Sequence, residues 1–379
     1  MDSIETLKRL RDKYRDNMKI TFSVINDYVG DQRIQRIAGY LHEQGHEIEI
    51  VGRVLPDSLP VNHFPYKVTR LHLFFIKGKF FYLEFTIRLF FYLLFQKTEI
   101  LVANDLDTLL PNFLISRLKK KKLIYDSHEY FTQVPELIHR PATQKIWLAI
   151  ERFIFPKLKY VYTVNASIAK IYEDLYKIPV KVIRNLPIQK QAKSLLLPPP
   201  YLLLYQGALN VGRGIELMID IMAFLPDYEL LIIGKGDIEV ALRERAKGAK
   251  NVRFQGFVPP NELHLLTQTA KLGFSLEEDL GGNYHYASPN KLYDYIQAHI
   301  PCIASDLPEM RALVKGFKTG KVLFLAERKA ENLAKKVRNI CENAEKYTAF
   351  QQNCAKAAEV LCWENERGKL KEFYGGHHR

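Results

Sequence analysis

The sequence predicts an α/β protein built from two Rossmann-like, doubly wound domains that face each other across a cleft. Two observations predict this fold. A strand–helix–strand rhythm runs through the first half of the chain, and the same rhythm restarts after a proline-rich break. The 379 residues, 47% of them hydrophobic, are sufficient for two cores. Because such sheets bind ligands beyond the carboxyl ends of their strands, we expect functional residues in the loops that follow strands.

The first half of the chain opens with a strand at residues 20–25, which are rich in β-branched and aromatic side chains. A helix is predicted at 32–44, where it stops before Gly45, and a second strand follows at 47–51. Further strands of this half are predicted at residues 100–103, 123–125, 160–164 and 180–183. Residues 1–17 have the spacing of an amphipathic surface helix and lack the apolar stretch of a signal peptide.

A break separates the two halves, since residues 189–194 are polar and residues 198–200 are three prolines that cannot continue a helix. We therefore predict domains at 1–190 and 200–355, with a C-terminal helical piece at 356–379 that returns toward the first domain. Strands of the second half are predicted at residues 201–206, 229–234, 252–254, 272–274 and 302–304. A helix is predicted at 214–224, and residues 330–373 are predicted to be mostly helical.

The net charge of +13 is concentrated in the first half, where residues 1–199 hold 31 Lys and Arg against 20 Asp and Glu. Such a field attracts phosphates, nucleic acid or an anionic membrane, although it is also compatible with an ordinary solvated surface. No nucleic-acid-binding motif accompanies it, so no nucleic-acid partner is expected. The four cysteines lack CxxC spacing, which predicts reduced, partly buried thiols of a cytoplasmic protein and argues against a zinc site.

Residues 72–95 hold ten aromatic side chains among 24 and resemble a membrane span. Lys77, Lys79, Glu84 and Arg88 interrupt the segment, which is too charged to cross a bilayer. We expect a helix at 82–95 packed in the first domain. The alternative is that part of it lies exposed and contacts an anionic membrane surface, with the basic run 117–122 assisting.

Several residues of the second half have the chemistry needed to bind a diphosphate. Gly207 and Gly214 permit close approach of the backbone, and a helix N-terminus at Gly214 offers a positive dipole end. Arg213 can fork onto phosphate oxygens, and Lys291 supplies a second cation. Lys291 follows a predicted N-cap and first-turn pair, Ser288 and Pro289. Taken alone, Lys291 would be read as a surface lysine.

These residues fall in a series of motifs at residues 212–216, 231–237, 251–258, 288–295 and 300–306. In this order and spacing the series resembles the donor half of the retaining GT-B glycosyltransferases of family four. The first half resembles the same family at residues 45–48 and 125–129, so the likeness covers nearly the whole chain. It implies a GT-B fold and a hexosyl-type transferase that uses a nucleoside diphosphate sugar, with UDP favoured.

The resemblance also implies roles for individual residues. His128, Arg213 and Lys291 would be catalytic, with the two cations stabilising the leaving diphosphate. Donor-binding residues would be Gly207, Gly214, Gly234, Gly236, Phe257, Val258, Ser288, Pro289, Asn290 and Asp294. Of these, Phe257 and Val258 would border the base and Asp294 would accept bonds from the ribose, whereas Gly234 and Gly236 are equally compatible with a simple strand-to-helix turn. No cofactor and no metal are expected, because the cations replace a divalent ion.

Candidate acceptor-binding residues lie in loops after strands of the first half: Gly30, Asp31, Asp105 and Asp107. Helix capping is an equally good interpretation of Asp105 and Asp107. The neutral imidazole of His128 would hydrogen-bond a sugar hydroxyl or the acceptor, the alternative being a buried structural histidine. The acceptor would be a glycan or a lipid-linked molecule, as in assembly of cell-surface polysaccharide or glycolipid. The protein would then work in the cytoplasm or on the inner face of the membrane.

The chain departs from the family pattern at three positions. Tyr286 stands where a glutamate near the sugar is frequent, Ala208 replaces an arginine, and His299 replaces a glycine. Glu277 and its acidic neighbours lie too early in the sequence to fill the glutamate position. Two other functions therefore stay open: a non-catalytic partner that binds nucleotide or glycan on the same fold, and a nucleotide-sugar epimerase.

Overall fold

The computed structural model describes residues 17–56, 58–192 and 200–375. Its contacts divide the chain into two compact units. The first contains the described residues of 1–132, 136–184 and 367–379, and the second contains 133–135 and the described residues of 185–366. The helix predicted at 1–17 and most of the proline-rich break lie outside the described residues.

Over these residues, the first unit has a parallel sheet of seven strands in the order β3-β2-β1-β4-β5-β6-β7. The strands are β1 (Lys19–Ser23), β2 (Glu47–Arg53), β3 (Lys67–Leu71), β4 (Ile100–Asn104), β5 (Lys122–Ser127), β6 (Tyr160–Thr163) and β7 (Lys181–Val182). Strand order reverses between β1 and β4. Two adjacent loops therefore diverge at that point on the carboxyl edge, leaving room for a ligand.

Helices connect these strands and bury apolar stripes against the sheet. They are α1 (Gln32–Glu43), α2 (Gly78–Phe95), α3 (Leu106–Leu118), α4 (Pro135–Ile138), α5 (Pro141–Ile154) and α6 (Ala166–Tyr176). In α1, for example, Ile34, Ile37 and Leu41 are buried at helical spacing. Asp31 begins this helix, because its side chain accepts a hydrogen bond from the Ile34 amide at 3.1 Å.

The second unit repeats the same plan over its described residues, with six parallel strands in the order β10-β9-β8-β11-β12-β13. The strands are β8 (Tyr201–Gln206), β9 (Tyr228–Ile233), β10 (Val252–Gly256), β11 (Leu272–Ser275), β12 (Cys302–Ser305) and β13 (Gly320–Leu323). The order reverses between β8 and β11. Core clusters lie on both faces of this sheet, as expected when helices cover both sides of parallel strands.

The helices of the second unit complete the doubly wound arrangement. They are α7 (Ile215–Asp220), α8 (Glu239–Arg245), α9 (Pro260–Gln268), α10 (Gly282–His285), α11 (Asn290–Gln297), α12 (Pro308–Gly316), α13 (Ala330–Cys341), α14 (Ala344–Val360) and α15 (Trp363–Glu366). A last helix, α16 (Lys371–Tyr374), lies in the first unit, where Lys122 Nζ donates to the Phe373 carbonyl at 2.6 Å. The prediction of two Rossmann-like domains is confirmed.

The structure differs from the sequence prediction in details. Strands β3 and β13 were not predicted, because each is short and carries charged, partly exposed residues. The helix predicted at 214–224 is α-helical only over α7 and continues as a 3₁₀ turn to Phe224. All four cysteines are buried free thiols. Within the described ranges, no helix combines the length and apolar character needed to cross a bilayer.

Candidate functional site

The candidate donor site of the second unit lies where β8 and β11 end, at the reversal of strand order. Gly207 follows β8 directly, and Glu277 stands two residues after β11. The loop 207–214 is fixed to its surroundings by backbone hydrogen bonds, from the Leu209 amide to the Lys235 carbonyl and from the Glu278 amide to the Gly212 carbonyl. The loop is therefore pre-formed.

An ion triad of Arg213, Glu277 and Lys291 occupies this site. Lys291 Nζ donates to Glu277 Oε1 at 2.7 Å, and Arg213 Nη1 lies 3.5 Å from the same oxygen. Glu277 is fully buried and Lys291 is only 8% exposed, so Lys291 is not the surface lysine that it would be taken for alone. The guanidinium of Arg213 also lies over the Tyr284 ring, 4.7 Å from its centroid. Two cations thus converge on one carboxylate, with a net charge of +1.

The carboxylate of Glu277 is held from both sides. Ser275 Oγ donates to Glu277 Oε2 at 2.7 Å. The backbone carbonyl of Glu277 accepts hydrogen bonds from Ser305 Oγ at 2.6 Å and from Arg328 Nη1 at 3.3 Å. Burial raises the pKa of Glu277, but Lys291 and Arg213 lower it by more, so that the net pKa lies below its usual value. The group is therefore ionised at neutral pH.

One donor of the triad has no partner in the part of the chain that the structure describes. Arg213 Nε is buried and makes no hydrogen bond there. A buried unsatisfied donor is costly and is expected to pair with a water, an ion or a ligand. An oxyanion beside Arg213 would satisfy it.

Glycines allow the loops of this site to touch. A Cβ on Gly234 would lie 1.9 Å from the Gly207 carbonyl oxygen, and one on Gly214 would lie 2.2 Å from the Leu276 carbonyl oxygen. Both have positive φ, 139° and 69°. Gly236 is similarly close to the neighbouring loop. The predicted glycines are therefore brought together, and side chains there would separate the loops.

Four of the predicted donor-binding residues lie in helix α11 or just before it. The expectation that Ser288 caps this helix is wrong: Pro289 is the N-cap residue without a side-chain bond, and the Ser288 hydroxyl pairs with the Tyr293 hydroxyl at 2.8 Å. Asn290 is exposed and accepts from Asn185 at 3.1 Å. Asp294 accepts from Gln206 Nε2 at 3.0 Å, which ties α11 to the end of β8.

Phe257 and Val258, the residues predicted beside the base, differ in environment. Phe257 is 67% exposed directly after β10, two strands from β8, whereas Val258 is 8% exposed and packs in the core. Only Phe257 offers a broad surface to a ligand. Tyr286, at the position of the missing glutamate, ends α10 and packs edge-on to His285, their centroids 4.6 Å apart.

The first unit has a second cluster, centred on His128 after β5. Its Nδ1 lies 3.3 Å from Asp105 Oδ2, and its Nε2 lies 3.2 Å from Asp126 Oδ2. The His128 amide also donates to Asp105 Oδ1 at 2.8 Å. Arg33 of α1 pairs with Asp126 through Nε and Nη2 at 2.7–3.2 Å, and both side chains are buried. The cluster therefore runs in the order Asp105, His128, Asp126 and Arg33, so that each carboxylate is followed by a nitrogen-containing group.

This cluster changes the expected charge of His128. Burial lowers its pKa, but the carboxylates of Asp105 and Asp126 raise it by more, to about 10. The expectation of a neutral imidazole is therefore wrong, since the ring is an imidazolium at neutral pH. Because both nitrogens then donate, His128 can serve as a hydrogen-bond donor or as an electrostatic stabiliser, but not as a base.

Asp105 has an unusual backbone. Its φ of 60° and ψ of 171° lie in a region occupied almost only by glycine. Although it precedes α3, its side chain makes no capping bond and turns to His128 instead, which excludes the capping interpretation. Asp107, 7% exposed in the first turn of α3, has a pKa raised well above its usual value by burial and by neighbouring carboxylates.

The remaining candidates of the first unit lie in the loop before α1. Asp31 is the N-cap of α1 and also accepts from Asn26 Nδ2 at 2.9 Å, so its carboxylate has a structural task. It contributes to the raised pKa of His128, which places it near the cluster. Gly30 is exposed beside it.

Sequence reasoning missed three residues of these clusters. The proximity of Asp126 to His128 could have been predicted, because Asp126 precedes His128 by two residues at a strand end and residues two apart share a face. The burial of Arg33 could have been predicted as well, since it shares the apolar stripe of α1 with Ile37. Glu277 was excluded by its register, yet its side chain reaches both predicted cations.

A surface cavity of about 730 Å³ lies at the amino ends of β8 and β9, lined in part by Asp220, Tyr228 and Asn251. None of the predicted site residues lines it. Among the described residues, no group of three or more His, Cys, Asp or Glu side chains is arranged to hold a metal ion. Metal independence stays a prediction.

Comparison with known families explains both halves of the chain. The family "Glycosyl transferases group 1" matches residues 188–357, and "Glycosyltransferase Family 4" matches residues 31–186. A search of curated proteins finds no significant match.

Solved structures of similar fold cover almost the whole chain. Sucrose-phosphate synthase from Thermosynechococcus elongatus has a TM-score of 0.77 at 16% identity, over 94% of this chain and 98% of that one. HepE from Anabaena, in complex with UDP and glucose, has a TM-score of 0.72 at 15% identity, over 94% and 99%. A putative UDP-N-acetylglucosamine 2-epimerase from Listeria monocytogenes has a TM-score of 0.64 at 15% identity, over 95% and 98%. At these identities the likeness concerns the fold.

Proposed function

Because the chain belongs to the group 1 and family 4 glycosyltransferases of GT-B fold, we propose that it transfers a hexose-type sugar from a nucleoside diphosphate sugar to a glycan or lipid-linked acceptor, with retention at the anomeric carbon. The second unit binds the donor, and UDP is the favoured nucleotide. The related HepE structure holds UDP and glucose, which supports this choice. The reaction takes place in the cytoplasm or at the cytoplasmic face of the membrane, in the assembly of polysaccharide or glycolipid.

The observation that carries this proposal is the ion triad of Arg213, Glu277 and Lys291. Departure of a nucleoside diphosphate develops negative charge on the bridging phosphate oxygen, and fixed cations in a partly dry site stabilise it. Arg213 has a buried Nε available for an oxyanion, and Lys291 is held within reach of the same point. These two cations do the work of a divalent metal, and the departing phosphate accepts the proton of the acceptor hydroxyl.

The cluster of the first unit serves binding. An imidazolium at His128 and the carboxyl groups of Asp105 and Asp107 suit hydroxyl groups of a sugar, because together they offer hydrogen-bond donors and acceptors. Asp107 Oδ1 is buried without a hydrogen-bond partner in the described ranges, as expected for an atom that a ligand satisfies.

The test is a thermal-shift screen with UDP, GDP, ADP and their sugars on the wild type, Arg213→Met and Lys291→Met. At a ligand concentration about a hundred times Kd, binding stabilises a protein by about 2.7 kcal/mol. We expect one nucleotide to raise the Tm of the wild type, and both variants to lose the shift. Arg253→Ala is the matched control, since Arg253 is 60% exposed and pairs with Glu229 away from the site. Loss of the shift in the control, or its survival in both site variants, contradicts the proposal.

The two alternative functions, an epimerase and a non-catalytic partner, predict different results when the same purified protein is assayed for turnover. An epimerase converts the donor sugar without any acceptor, whereas a transferase releases nucleoside diphosphate in proportion to glycosylated acceptor. A non-catalytic partner shows the nucleotide-dependent shift and no turnover with any donor. Tyr286 and Ala208 are the features that favour this last alternative.

A further inference from the structure

Helix α2 is apolar on opposite sides. One side buries Phe81, Phe85, Leu89 and Leu93, spaced four residues apart, against the core of the first unit. The other side presents large apolar side chains to solvent: Phe80 (54% exposed), Leu83 (57%), Ile87 (47%), Phe91 (53%) and Phe95 (79%). We call these five residues the α2 face. They run from Phe80 to Phe95 of this helix and form a stripe about 23 Å long, larger than the isolated apolar residues normal on a soluble surface.

The α2 face extends at both ends. Before it, Phe74 is 86% exposed, with Phe75 and Ile76 about half exposed. Arg53, the last residue of β2, donates to the Ile76 carbonyl at 3.1 Å and so fixes this loop at the carboxyl edge of the sheet. Helix α3 packs beside α2 and adds exposed Leu118 near the other end.

Positive charge borders the apolar stripe. Exposed Lys77 and Lys79 stand at the start of α2, and exposed Lys97 follows its end. The basic run 117–122 is held beside the same end, because Lys119 Nζ donates to the carbonyls of Leu94 at 3.0 Å and Gln96 at 2.6 Å.

The one carboxylate within α2 has its partners inside the segment. Glu84 accepts hydrogen bonds from the amides of Phe74 and Phe75 at 2.9–3.0 Å and from Arg88 Nε at 2.7 Å. Its charge is therefore largely satisfied locally and opposes an anionic surface only weakly. The segment presents aromatic side chains with cations at both ends.

We propose that the α2 face docks on an anionic lipid surface, with α2 lying in the plane of the interface. Aromatic and aliphatic side chains then enter the headgroup boundary, while the bordering lysines contact acidic headgroups. Helix α3, which packs on α2, begins directly after Asp105. Helix α3 therefore connects the α2 face to the cluster of Asp105 and His128, and a lipid-linked acceptor can reach Asp105 from the bilayer. This last step rests on the proposed function, whereas docking itself does not.

The test is co-sedimentation of the full chain with vesicles, either of neutral phosphatidylcholine or with about a third phosphatidylglycerol, without nucleotide. Variant Phe80→Ser/Phe91→Ser removes two aromatic rings from the α2 face. The matched control is Phe224→Ser/Phe324→Ser, two rings of similar exposure in the second unit, 44% and 45%. Circular dichroism and the cooperative thermal unfolding transition, both measured without nucleotide, establish that each variant is folded.

We expect the wild type to bind anionic vesicles, and binding to weaken at high salt because the lysine contacts are screened. Phe80→Ser/Phe91→Ser should lower the partition coefficient at least about tenfold, since each ring contributes apolar area to the interface, while the control double variant binds like the wild type. Absence of wild-type binding, or equal binding of the two double variants, overturns the proposal. So does a concentration-dependent dimer that Phe80→Ser/Phe91→Ser dissociates without any vesicle binding, because the α2 face then joins two copies of the chain. None of these outcomes depends on donor binding.

Discussion

Replacing Glu277 by Gln removes the negative charge on which Lys291 and Arg213 converge. Glu277 is fully buried and its partners are 8% and 25% exposed, so the two cations are left without compensation in a poorly solvated place. Breaking a buried pair by removing one partner costs about 3–5 kcal/mol. For a unit of this size each kcal/mol moves Tm by about 2–4 °C, so we expect Glu277→Gln to melt about 6–20 °C below the wild type.

A bound diphosphate should reverse much of this loss, because its oxygens supply the missing negative charge. Differential scanning calorimetry with and without saturating UDP measures both effects. We expect the rise in Tm on adding UDP to be larger for Glu277→Gln than for the wild type. Glu278→Gln is the control, since Glu278 is 43% exposed and lies 3.5 Å from Arg328; a pair of this kind contributes about 1 kcal/mol or less. The reasoning is refuted if Glu277→Gln melts with the wild type, or if UDP stabilises it less.

Three further predictions follow from the clusters and the backbone. NMR titration should find His128 protonated up to about pH 9, since its pKa is raised to about 10; Asp105→Asn should lower that pKa, and titration near pH 6.5 in the wild type would contradict the ion cluster. Burial raises the pKa of Glu151 from 4.5 to about 7, so the native state binds more protons than the unfolded one and stability falls by about 3 kcal/mol between pH 4.5 and 7. Urea unfolding of Glu151→Gln at several pH values should show this dependence reduced, and an unchanged slope would exclude Glu151 as its source. Gly234→Ala should destabilise by about 3 kcal/mol or more in urea unfolding, because its Cβ meets a carbonyl oxygen at 1.9 Å, whereas Gly316→Ala, in open space, should change stability little.

The sequence predicted most of the fold because apolar runs alternate with amphipathic helices at regular spacing. It failed at β3, whose residues Lys67–Leu71 are polar and only partly buried. That strand forms through pairing with β2 at the edge of the sheet, a tertiary effect that local pattern does not carry.

For the candidate site, the order of the motifs along the chain predicted where the loops lie, but it did not predict the direction in which each side chain points. Lys291 could be selected because its motif follows the other motifs in order. Glu277 could not be selected, because it lies too early in the sequence for the family's glutamate position. In the folded chain the loop after β11 nevertheless directs its carboxylate toward Lys291. The charge of His128 depends on Asp105, 23 residues earlier in the chain. Sequence patterns therefore located the loops, and the geometry of their contacts required the folded chain.

The backbone of Asp105 has a consequence for how this protein would respond to selection. Its φ and ψ suit glycine, so an aspartate there costs about 1–3 kcal/mol of strain. A library screened for heat resistance alone should therefore enrich Asp105→Gly, provided that the relief exceeds the loss of the contact with His128. The same library screened for sugar transfer should deplete it. Selection for thermal stability and selection for turnover therefore favour different residues at position 105. The difference in unfolding free energy between the wild type and Asp105→Gly measures the stability cost of the aspartate.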